Sequence, residues 1–136
     1  MTLRDQIIRD EDCRLRVYYD PLGVPTIGVG RNLRDKGISQ TEADFLLGND
    51  ILEYTAAVNS NIPCAIRLDE ARRGVLINMA FNLGIAGLMK FRKMLAAVEA
   101  GEWDRAAAEM MDSRWAGQVG ERAHRLARQM QTGEWV

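Results

Sequence analysis

Apolar and polar positions along the chain change period twice. Leu3, Ile7 and Ile8 share one face of a short opening helix, and the polar run Arg9-Asp10-Glu11-Asp12 predicts its end. Glu11 then falls near a helix C-terminus. The next segment, Leu15-Arg16-Val17-Tyr18-Tyr19-Asp20, alternates and is rich in β-branched and aromatic residues; the turn Pro21-Leu22-Gly23 and the run Val24-Pro25-Thr26-Ile27-Gly28-Val29-Gly30 follow. This pattern predicts a small β-hairpin or meander. Glycines at 23, 28 and 30 weaken strands but leave room for close backbone approach and for a ligand.

From Ser39 the period becomes helical and stays so. Ser39-Gln40-Thr41-Glu42 matches a capping box, and Ala43, Leu46, Leu47, Ile51, Tyr54 and Val58 continue as one stripe to the break at Asn59–Pro63. Asp69 is placed to cap a central helix whose Val75, Leu76, Met79, Ala80 and Leu83 face inward before Gly84 stops it. Short helices are predicted over 90–100, ended by Gly101, over 103–112, and over 121–132, ended by Gly133. The expected fold is α+β and mostly helical, one domain over 1–136. Its lobes fall at approximately 12–58 and 1–11 plus 59–136, with a cleft between them as the default ligand site.

Composition agrees with such a domain. The 136 residues are 47% hydrophobic and 27% charged, which is ordinary for a soluble globular chain and sufficient to bury a core without staples. The formal charge is −1, and it is unevenly spread: +1 over residues 1–40, −5 over 41–70 and +3 over 71–136. That balance argues against a nucleic-acid binder relying on a strong positive field, and Arg122–Arg128 lack interleaved aromatics. Two cysteines, Cys13 and Cys64, lack CxxC spacing and read as free, buried thiols. His124 lies between Arg122 and Arg125 with no second histidine or nearby cysteine, so no metal site is expected, and the methionines read as core filler. No stretch approaches a membrane span, and the charged N-terminal residues do not read as a signal peptide.

Two carboxylates stand out, because Glu11 ends a helix and Asp20 ends a strand, where both can face one cleft. Glycosidic bond cleavage uses such a pair, one protonated to release the leaving oxygen and one ionised to activate water or attack carbon. Most acidic residues in a protein of this size are solvated surface groups, so spacing alone does not establish the pair.

The segment from Glu11 to Gly30, Glu-x8-Asp-x5-Thr followed by Ile27-Gly28-Val29-Gly30, resembles the active-site segment of the T-even phage lysozymes, glycoside hydrolase family 24. The likeness continues in Arg72-Arg73-Gly74-Val75-Leu76-Ile77-Asn78-Met79-Ala80-Phe81-Asn82-Leu83-Gly84, which resembles that family's central helix. Ser113-Arg114-Trp115, Arg122-Ala123-His124-Arg125 and Thr132-Gly133-Glu134-Trp135 resemble its C-terminal helices. Several separated motifs in order are far more specific than any one of them.

The resemblance implies a lysozyme-like fold and a muramidase that cleaves the β-1,4 bond between N-acetylmuramic acid and N-acetylglucosamine, with inversion and without a cofactor or metal. By position, Glu11 matches the general acid, Asp20 the carboxylate that activates water, and Thr26 the hydroxyl that positions it. A general acid is favoured by partial burial, an ionised partner by a wetter turn. Arg122 matches the family arginine that pairs with the acid. Asn78, Asn82, Trp115, Gln118 and Arg125 match positions lining the substrate, although Asn78 and Trp115 read equally well as a satisfied amide and core packing.

Three departures qualify the likeness. Arg31 stands where the best-known members carry His in a His–Asp pair, and it reads as a solvated residue or as an electrostatic substitute beside a carboxylate. The segment between Gly30 and Ser39 is shorter, so part of the β-lobe should be missing. The charge is −1 where the best-known members are strongly basic. Cys13 near the site resembles a regulatory cysteine of exported relatives, although a plain buried thiol is the simpler reading.

The resulting expectation is a monomeric endolysin-like muramidase acting on bacterial peptidoglycan. It would be held in the bacterial cytoplasm until released by a holin-type partner, with no nucleic acid and no stable membrane association. Two alternatives remain: a lytic transglycosylase, which needs one acid/base glutamate and leaves anhydro ends, and a non-catalytic wall-binding module on the same fold. The joint presence of Glu11, Asp20 and Thr26 disfavours both.

Overall fold

The computed structural model describes residues Met1–Val136. As expected, the chain is mostly helical with one small sheet, an α+β fold. It forms two compact units, Met1–Leu46 and Leu47–Val136.

In the first unit, α1 (Leu3–Glu11) opens with a capping box that hydrophobic spacing does not report. Thr2 Oγ1 accepts the Asp5 backbone N–H at 3.1 Å and the Asp5 carboxylate accepts that of Thr2 at 2.8 Å. The Thr2 hydroxyl, donating to Asp5 Oδ2 at 2.7 Å, and then the Thr2 N–H hold the Asp5 carboxyl below its ordinary range. No residue of α1 is buried, and Leu3, Ile7 and Ile8 are exposed. The predicted meander follows as β1 (Arg14–Tyr19), β2 (Pro25–Gly28) and β3 (Arg31–Asn32), antiparallel in that order. Tyr18 pairs with Thr26, Thr26 with Asn32 and Ile27 with Arg31. The third strand has only two residues, where the sequence between Gly30 and Ser39 is short.

The long helix α2 (Gln40–Asn61) carries the chain from the first unit into the second. Its predicted box forms: Ser39 Oγ accepts the Glu42 N–H at 3.1 Å, and Glu42 Oε1 accepts the Ser39 N–H at 2.8 Å. The expected apolar stripe is buried only toward its C-terminal end, where Val58 is inaccessible and Tyr54 packs on the core, while Leu46, Leu47 and Ile51 are exposed.

A 3-10 turn over Pro63–Arg67 leads to α3 (Glu70–Met89), then to α4 (Arg92–Glu99), α5 (Trp103–Met111), α6 (Arg114–Val119) and α7 (Glu121–Thr132). Asp69 caps α3 as predicted, accepting the Arg72 N–H at 3.0 Å. Gly84, at φ 75° and ψ 160°, breaks the helix where a stop was expected, and the chain resumes for another turn. The expected spans for α4, α5 and α7 agree within two residues. The 3-10 turn and α6 carry too few residues to show a period.

The core of the second unit is built from α3, α4, α5 and α7, with Leu76, Met79, Leu88, Met94, Met110 and Met130 inaccessible to solvent. Unbranched methionines suit the irregular gaps among short helices. Arg72 on the first turn of α3 donates from Nε to Met130 O at 2.7 Å and from Nη2 to Gln131 O at 2.8 Å, while its guanidinium lies 4.1 Å over the Trp103 ring. A cation thus satisfies the last carbonyls of α7. Cys64 is buried, which raises its thiol pKa, whereas Cys13 is exposed; the expectation of a buried thiol at 13 is corrected, because no element covers β1 at its start. No single helix is long and apolar enough to cross a membrane.

Candidate active site

Glu11, Asp20, Thr26 and Arg31 all lie in the first unit. Glu11 is the last residue of α1, and its exposure corrects the partial burial expected for it. Its carboxylate lies over Gly30: a Cβ on Gly30 would stand 2.7 Å from Glu11 Oε2, and Gly30 itself has φ 66°. The positive φ favours glycine, and a side chain here would also push the Glu11 carboxylate aside. Asp12, the residue after Glu11, adopts φ 67° and ψ 170°, the only non-glycine positive φ in the chain. That region is occupied almost only by glycine, so the turn out of α1 is strained. Asp12 N–H still closes the helix on Ile8 O at 2.8 Å, and Asp12 Oδ1 accepts the Cys13 N–H at 2.8 Å.

Asp20 and Thr26 are organised around one residue that sequence reasoning missed, Val24. Asp20 Oδ1 accepts the backbone N–H of Leu22 at 2.8 Å and of Val24 at 2.9 Å, and Asp20 N–H donates to Val24 O at 3.0 Å. This is an Asx-type turn, in which the aspartate side chain closes Pro21-Leu22-Gly23. Thr26, almost fully buried, donates its hydroxyl to the same Val24 O at 2.8 Å. Asp20 Oδ2 has no protein partner, and the Thr26 oxygen, its proton committed, keeps acceptor capacity.

Arg31 is not a solvated residue. Its Nη1 and Nη2 each donate to one Glu42 oxygen at 2.8 Å, and Nη1 also donates to Gly37 O at 3.0 Å. The alternative reading, a cation beside a carboxylate, holds. The Arg31 hydrogen bonds, then those from Ser39, lower the Glu42 pKa to about 2. Glu42 was legible only as a capping residue, because an ion pair across eleven residues leaves no local trace.

The remaining candidates lie in the second unit. Arg122 Nε and Nη2 donate to Asn78 Oδ1 at 3.0 and 2.7 Å, so the Asn78 amide is a satisfied one that fixes a guanidinium. These two side chains, with Ile77, Phe81, Gly74 and Trp135, line a cavity of about 400 Å³. Trp135 lies so close over Gly74 that a Cβ there would stand 2.6 Å from its ring. Trp115 is buried, donates Nε1–H to Asn82 Oδ1 at 2.8 Å and packs edge-on against Phe91. Gln118 on α6 and Arg125 on α7 are exposed.

Comparison with known proteins identifies the family. The family described as phage lysozyme matches residues 9–132. The chain is similar to the pre-baseplate central spike protein Gp5 of Enterobacteria phage T4, at 31% identity over 98% of the chain; it spans only 28% of that longer protein. It is also similar to a probable T4-type lysozyme of Dictyostelium discoideum, at 27% identity over 97% of the chain and 95% of the relative. A third relative is an endolysin of Acyrthosiphon pisum secondary endosymbiont phage 1, at 29% identity over 77% of the chain and 72% of that protein. With a matching profile across most of its length, the chain belongs to the phage lysozyme family, glycoside hydrolases of the muramidase type that act on peptidoglycan.

Proposed function

We propose that this chain hydrolyses the β-1,4 bond between N-acetylmuramic acid and N-acetylglucosamine with inversion at the anomeric carbon. Glu11 protonates the leaving oxygen. A water attacks from the opposite face, giving one proton to Asp20, while Thr26 orients it. The observation that carries the reading is the shared anchor at Val24: one backbone residue holds both Asp20 and Thr26. Asp20 keeps Oδ2 free to take a proton, and Thr26 is left to accept a hydrogen bond, so a water that donates to both directs its two lone pairs away from them.

Arg122 holds the Asn78 amide, and Asn78, Gln118 and Arg125 contact the glycan or its peptides; Trp115 and Asn82, bonded to each other, are better suited to holding α6 on α3. The relative named an endolysin supports a role in lysis. In that role the monomer waits in the bacterial cytoplasm and reaches the wall through a holin-type partner.

The test is mass spectrometry of fragments released from purified peptidoglycan by the wild type and by Glu11→Gln, with NMR of the first-formed anomer. Reducing N-acetylmuramic ends of the α-anomer, absent with the variant, are the expected result. Anhydro ends would make the chain a transglycosylase, and β-anomer product would replace inversion by retention.

A further inference from the structure

We propose that Arg31 and Glu42 are positioning residues for the hydrolysis, a role that rests on the reading of Glu11 and Thr26 as acid and water-orienting hydroxyl. Arg31 stands between two contacts to that pair. Before it comes Gly30, over which the Glu11 carboxylate lies. After it comes Asn32, the ladder partner of Thr26.

A two-residue edge strand holds itself in register poorly. Beyond it, residues 33–39 form neither strand nor helix. Main-chain bonds from Leu33 N–H to Pro25 O at 2.9 Å and from Gly37 N–H to Asn32 O at 3.1 Å help, and the side chain of Arg31 adds the link to α2 through its paired bonds to Glu42 and a third to Gly37 O. Glu42 is itself immobilised, because Oε1 also accepts the Ser39 N–H and its backbone N–H donates to Ser39 Oγ. The segment Gly30–Asn32 is therefore bolted to the first turn of a 22-residue helix.

Ile27, Val29, Ile38 and Phe45 line an open groove of about 580 Å³ beside the pair, whose side chains stay 28% and 41% exposed, so its worth lies in geometry rather than in burial. Parallel N–H to oxygen geometry fixes direction as well as distance, which a lysine ammonium does not reproduce. The pair touches no reacting atom. It acts through Gly30 on the acid and through Asn32 on the hydroxyl, and misplacement of such groups by about 1 Å costs on the order of 100-fold in rate.

Steady-state kinetics on soluble peptidoglycan fragments, with thermal unfolding, test this in Arg31→Ala, Arg31→Lys, Glu42→Gln, Arg72→Ala and Glu11→Gln. Glu42→Gln keeps the side-chain shape and an acceptor for Ser39, which guards against loss of folding. At a temperature where every variant is folded, Arg31→Ala and Glu42→Gln should lower kcat about tenfold or more with KM within about twofold, and Arg31→Lys should recover only part of it. Arg72→Ala should lose Tm while keeping kcat. Wild-type kcat in both Arg31→Ala and Glu42→Gln, with only Tm lowered, would overturn the proposal. Undiminished kcat in Glu11→Gln would instead sink the catalytic assignment beneath it.

Discussion

The indole N–H of Trp115 is bonded to Asn82 Oδ1 at 2.8 Å, tying the short helix α6 to α3 across 33 residues of sequence. Trp115 is buried and has this one acceptor for its indole N–H. Asn82→Ala should therefore cost about 1–3 kcal/mol, the range for stranding a buried donor. Urea unfolding measures it. An unchanged midpoint would mean that the bond contributes nothing to the fold.

Much of the architecture was readable from the residues. The helix stops at Gly101 and Gly133, the Asp69 cap and the Ser39–Glu42 box are local signals, written within four residues of where they act. Glu11, Asp20 and Thr26 were legible as motif members. The bonds that hold them were not, since Asp20 and Thr26 meet on a valine main chain that no side-chain pattern marks. Arg31–Glu42, Arg122–Asn78 and Trp115–Asn82 join residues brought together only by folding. The exposure of Glu11 and Cys13 was likewise hidden, because periodicity ranks faces of an element and does not say what covers them.

Gly30→Ala should keep most of the fold and lose most of the activity. The added methyl would displace the Glu11 carboxylate and strain a backbone at φ 66°. A rate loss of roughly 100-fold is expected from misplacing the acid, with about 1–2 kcal/mol of destabilisation. Turbidity loss of a cell-wall suspension and a melting curve report the two separately; a variant with full activity would show that Glu11 does not work from this position.

Arg72→Ala should lower stability by about 2 kcal/mol, because two carbonyls at the end of α7 lose a charged donor and Trp103 loses its cation. That corresponds to a fall in Tm of roughly 8 °C by differential scanning calorimetry. A fall below about 2 °C would mean that water replaces the arginine without cost.

The depressed Glu42 carboxyl makes a pH prediction. Its pKa falls from 4.5 to about 2 on folding, so the carboxylate stabilises the fold fully above about pH 4.5, and that contribution fades as pH drops toward 2. The Tm difference between wild type and Glu42→Gln should be constant from pH 8 to 5 and shrink below that. A difference that grew in acid would contradict the pairing with Arg31.

Asp12 sets a conflict between endurance and work. Its backbone sits where an L-residue is held against its preference, one position from the acid, at a cost on the order of 1–3 kcal/mol. Selection for heat resistance alone should find Asp12→Gly quickly, since glycine releases the tension. Selection that also demands wall digestion should discard it, because the same release slackens the joint that aims Glu11. A variant library screened under both regimes should part into two populations at that position.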